Sequence, residues 1–123
     1  MRKSEIRNKI NALTNQINNY KNERDRYKEA LSYANKLVGS IGRGTKSLSS
    51  ANDSLKSGFT INGKTVGGTK IENIKGTVSG LQGKVSGQII PEINKKIREL
   101  DNKISSANSE INFLRNQLIY AED

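Results

Sequence analysis

A chain of 123 residues has room for one domain, and its 33% apolar share, with no Trp, two Phe and four Tyr, is too small for a sandwich, barrel or doubly wound α/β core. The absence of cysteine and histidine removes disulfides, thiolate sites and the commonest general base and metal ligand, and with them most routine enzyme chemistry. The net charge of +9 favours anionic partners.

Residues 1–40 carry nine basic and four acidic side chains, residues 41–90 seven and two, and residues 91–123 five and six. The excess therefore lies in the first two thirds. No apolar run is long enough to span a bilayer, and Met1-Arg2-Lys3 is not followed by the apolar core of a signal peptide. These features predict synthesis as a soluble cytoplasmic protein.

The first half reads as a long amphipathic helix over about residues 4–57. Ile6, Ile10, Leu13, Ile17, Tyr20, Arg24, Tyr27, Leu31, Ala34, Val38 and Ile41 recur at steps of four and three, and the register continues through Thr45, Leu48, Asn52, Leu55 and Phe59. A sustained spacing of 3.5 is the signature of helices packed along a seam. Gly39, Gly42 and Gly44 favour a bend, while the unbroken register favours continuity.

Gly58 suits a helix C-cap. Two short β-type runs then flank Asn62-Gly63, in Phe59-Thr-Ile61 and Lys64-Thr-Val66, a strong local hairpin signal because Asn-Gly accepts the positive φ angles of a type I′ turn. The turn region occupies residues 58–68. Thr69-Lys-Ile-Glu72 matches a capping box, so a second helix is expected over about residues 69–121. Its apolar series runs Ile71, Ile74, Val78, Leu81, Val85, Ile89, Ile93, Ile97, Leu100, Ile104, Ala107, Ile111, Leu114, Leu118, Ala121. Steps of four between 85 and 97 are a phase slip, and Pro91 inside it predicts a kink or a new helix start.

Asn62-Gly63 lies at the chain midpoint, so an antiparallel hairpin pairs residues whose numbers sum to about 125. Arg24 is then level with Asp101, and the glycines at 39, 42 and 44 with residues 86, 83 and 81. Arg24 pairs with Asp101, pairs with a partner carboxylate, or extends to water. Tyr20 and Tyr27 are ordinary seam residues or interface anchors. Asn8, Asn11, Asn15, Asn18 and Asn22 form a second stripe, read as a solvated face.

Gly76, Gly80, Gly83 and Gly87 each stand two positions after Ile74, Val78, Leu81 and Val85. Two residues are about 200° around a helix, so one face is apolar and the other nearly bare backbone. The stretch is either a flexible linker or a groove that admits another helix closely.

Two long helices that bury only one seam have little core for their length. The expected architecture is therefore all-α: a long, coiled-coil-like antiparallel hairpin with a small β-turn tip, completing a four-helix-type bundle with a partner. The short Cys-free hairpin of matched arms, the Phe59-to-Gly68 turn and the Gly/Ser-rich start of the second arm resemble the YwqH-like small helical proteins of the WXG superfamily, associated with LXG toxins and Gram-positive type VII secretion.

That resemblance implies a non-catalytic targeting factor or chaperone that binds the helical N-terminal domain of an LXG toxin, with no cofactor or metal. The seam and the glycine spacing offer Tyr20, Arg24, Tyr27, Gly76, Gly80, Gly83 and Gly87 as the partner-binding residues, and Phe59, Asn62 and Gly63 as the turn. The turn has no Trp-x-Gly, and Tyr120-Ala-Glu122-Asp123 is one residue short of the family's Tyr-x-x-x-Asp/Glu export signal. Export would then use the partner's copy or a composite signal.

Two other classes compete. A self-associating structural coiled coil is distinguished by light scattering on the pure protein. A nucleic-acid or anionic-membrane binder would use the +9 charge and show steep salt dependence, although the aromatics needed for stacking are few.

Overall fold

The computed structural model describes the backbone of residues 1–58, 60–61, 64–65 and 69–122, and the side chains of residues 1–51, 53 and 72–122. Long helices dominate it, as expected from apolar residues recurring at helical spacing. The first, α1, is Lys3–Gly58 and remains α-helical through Gly39, Gly42 and Gly44. Thr60–Ile61 (β1) and Lys64–Thr65 (β2) pair antiparallel, with Thr60 opposite Thr65. The predicted Asn62-Gly63 turn and Phe59 lie outside the described residues. Helix α2 is Thr69–Lys84, a π-helical turn follows over Val85–Ile89, and α3 is Ile90–Tyr120.

The chain divides into two units, one made of Met1–Ala30 with Ile93–Asp123 and the other of Leu31–Glu92. In the first unit, α1 and α3 run antiparallel. The Lys3 N–H donates to the Glu122 carbonyl at 3.0 Å, and Arg24 meets Asp101 at 2.9 Å; both pairs of numbers sum to 125. Ile17, Ile104, Ala107 and Ile111 form the buried core, with Ile10, Leu13 and Tyr20 packed against it. Every seam position read from the sequence of α1 up to residue 48 is buried or half-buried. Asn8, Asn11, Asn15, Asn18 and Asn22 are all exposed, in agreement with the solvated reading of that stripe.

In the second unit, Ala34, Ile41 and Val85 are buried. Gln82 Nε2 donates to the Val38 carbonyl at 3.3 Å. A Cβ on Gly42 would lie 3.4 Å from the same Nε2, at the edge of ordinary van der Waals contact, so the Gln82 side chain passes close over Gly42. Thr45, a polar residue in the seam, donates its hydroxyl to the Ile41 carbonyl one turn back, which satisfies it without a partner across the seam.

The seam of the second arm departs from the sequence reading. Ile74, Leu81 and Ile89 are exposed, and the half-buried or buried positions are Lys75, Val78, Gln82, Val85 and Ile90. Steps of three, four and three are thus followed by a step of five. The π turn supplies the extra residue: the Ile90 N–H donates to the Val85 carbonyl, five residues back. Pro91 gives the physical reason. It has no N–H to donate and its ring collides with the carbonyl four residues earlier, so a widened turn before it relieves the clash. The break therefore falls at 85–89, just ahead of the proline.

Candidate partner-binding surfaces

Arg24 and Asp101 hold each other within the first unit. Arg24 Nη1 donates to Asp101 Oδ1 at 2.9 Å, the first of the three alternatives open to this residue in the sequence. Arg24 Nε is buried with no hydrogen-bond partner. Tyr20 is half-buried, and Lys103 Nζ lies 5.6 Å from its ring centroid, a distance at which a cation is attracted to the ring face. Tyr27 is half-buried as well. These three side chains belong to the seam of the first unit itself.

An open groove runs beside that seam, lined by Leu13, Gln16 and Tyr20 of α1 and by Lys103, Ser106 and Glu110 of α3. Gln16, Lys103 and Glu110 each immediately precede a buried seam isoleucine. Residues in that position on the two antiparallel helices therefore share one side of the pair. Here they are all polar.

The glycines of α2 and the π turn are bare. No atom lies within 4 Å of an ideal Cβ on Gly76, Gly80, Gly83 or Gly87. They occupy the side of the helix away from the seam residues Lys75, Val78, Gln82 and Val85, and a side chain added at any of them would meet open space.

The larger exposed feature was not read from sequence. Tyr33, Leu37, Ile74, Leu81 and Ile89 in the second unit are between 45% and 63% exposed. The apolar period of the second arm pointed to 74, 81 and 89 as core, whereas the structure turns the neighbouring Lys75, Gln82 and Ile90 toward the seam. In the first unit Phe113 and Ile119 are exposed, as is Tyr120 at 87%. Tyr120 ends α3, and the backbone carbonyl of exposed Glu122 accepts from Lys3. Asp123 lies outside the described residues.

Among the described residues no group of three or more His, Cys, Asp or Glu is placed to hold a metal ion, and no helix is long and apolar enough to cross a membrane. No family model matches the chain, and no curated protein or solved structure is significantly similar to it.

Proposed function

We propose that this chain is a non-catalytic interaction protein, a targeting factor or chaperone whose helices complete a four-helix-type bundle with the helical N-terminal domain of a type VII-secreted LXG toxin. The observation that carries this reading is the quantity of bare apolar surface on helices that already have their own seam. Five large apolar side chains of one unit stand roughly half in solvent. Isolated exposed apolar residues are ordinary, but a set on two neighbouring helices marks an interaction surface. The uncovered glycine backbone at 76, 80, 83 and 87 supports the same reading, since small residues permit close helix approach. The identity of the partner rests on the resemblance of architecture. In this reading the chain meets its partner in the cytoplasm and is exported together with it.

The test is co-expression with the product of a neighbouring LXG-type gene. The complex should co-purify at fixed stoichiometry, and both helicity and Tm should rise well above those of the lone chain, because binding only the native state stabilises it by mass action. A lone chain that melts cooperatively, with a Tm unmoved by that product, would refute the reading.

A further inference from the structure

We infer that one flank of the second unit is a seat for an acidic amphipathic helix, an inference that rests on the interaction reading above and names the chemistry of the partner. Leu37, Ile74, Leu81 and Ile89 each immediately precede a half-buried seam residue, namely Val38, Lys75, Gln82 and Ile90. Val38 and Gln82 meet across the seam, so Leu37 and Leu81 stand beside that contact on the two facing helices. In an antiparallel pair with seams at three-four spacing, residues in this position fall on the same side. The groove of the first unit shows that geometry directly, with Gln16, Lys103 and Glu110 lining one side.

The opposite flank of the second unit is different in kind. The residues that immediately follow buried or half-buried Ala34, Ile41, Val78 and Val85 are Asn35, Gly42, Ser79 and Ser86. One side of the unit is therefore apolar and the other polar or bare. The π turn keeps the apolar side in line: the step from Leu81 to Ile89 is eight residues, a heptad plus the one residue that the turn inserts. Tyr33, one turn before Leu37, extends the same side. Together these five residues stand roughly half in water along one side of the unit, the kind of grouped apolar exposure that marks an interaction surface.

Charge selects the occupant. Residues 31–92 carry eight Lys or Arg against three Asp or Glu, a net of +5. Exposed Lys84 stands one turn beyond Leu81. Lys36 Nζ sits 5.8 Å from the Tyr33 ring, and exposed Glu92 marks the far end. A second copy would set +5 against +5, whereas a helix with Leu at heptad spacing and Glu on its flanks matches both the spacing and the charge.

The full chain is titrated with two labelled peptides that share a leucine heptad, one flanked by Glu and the other by Lys, and binding is followed by fluorescence anisotropy at 150 mM salt. The acidic peptide should bind at least tenfold more tightly. Leu37→Glu/Leu81→Glu should weaken it at least tenfold with helicity unchanged, while Asn35→Glu/Ser79→Glu on the polar flank should weaken it less than threefold. Equal binding of the two peptides, or unchanged binding to the first double variant, overturns the inference. So does a sedimentation dimer of the lone chain that the same variant abolishes, which would assign the flank to a second copy. Undiminished co-purification of the LXG-type product with Leu37→Glu/Leu81→Glu sinks this flank alone and leaves the interaction reading standing.

Discussion

Replacing Arg24 by Met should stabilise the chain. The ion pair it makes with Asp101 is short, at 2.9 Å, but the two side chains are 24% and 49% exposed, so water and salt screen it to about 0.5–1 kcal/mol. Against this stands Arg24 Nε, buried without a partner, for which the desolvation penalty is about 1–2 kcal/mol. Met has nearly the same length and removes both terms. It also places an apolar side chain between Tyr20 and Tyr27 in the seam, so the net gain should be about 1 kcal/mol. Asp101→Ala should cost about 0.5–1 kcal/mol, since it removes the pair and keeps the penalty. In the Arg24→Met background the same change should cost almost nothing. Urea unfolding followed by circular dichroism at 222 nm measures all four corners of this cycle. A loss of 1 kcal/mol or more in Arg24→Met would refute the reasoning and show the pair to be worth more than its exposure allows.

Ile17→Ala and Ile111→Ala delete methyl groups from the buried cluster of the first unit and should each cost about 2–4 kcal/mol, read as a fall in the urea midpoint at constant slope. Deleting Gln88 shortens the step from Val85 to Ile90 to four residues while Pro91 still crowds the carbonyl four residues back, so amide exchange over 85–90 should quicken; unchanged or slower exchange there would show that Pro91 does not require the widened turn. Changing Gly76, Gly80, Gly83 and Gly87 to Ala together meets open space and should raise the lone chain's Tm, since each step gains up to about 1 kcal/mol of helix propensity. If a partner uses that face, the same variant should weaken the complex; equal affinity would remove the glycines from the interface.

Local chemistry is enough to explain much of this molecule. A three-four repeat of apolar residues determines the buried side of α1 because a helix of 3.6 residues per turn presents such a repeat as a single stripe. The glycines at 39, 42 and 44 do not end α1, and the register of Arg24 with Asp101 follows from counting outward from the chain midpoint. Periodicity also marked Ile97 to Ala121 correctly, for the same reason. The candidate surfaces were less legible. The seam order of Tyr20, Arg24 and Tyr27 could be read in advance, but the choice of Asp101 as partner required the opposite helix.

Tertiary structure decided which face of the second arm is wet. Steps of four from Val85 lead to Ile89, Ile93 and Ile97, whereas the structure takes a step of five to half-buried Ile90 and leaves Ile89 exposed, because the turn ahead of Pro91 is widened by one residue. Before that turn it is Lys75, Val78, Gln82 and Val85 that face the seam, with the Gln82 amide on the Val38 carbonyl, and Ile74, Leu81 and Ile89 are exposed. Whether an apolar side chain is core or surface depends on what stands opposite it, and a pattern along one helix contains no information about the other.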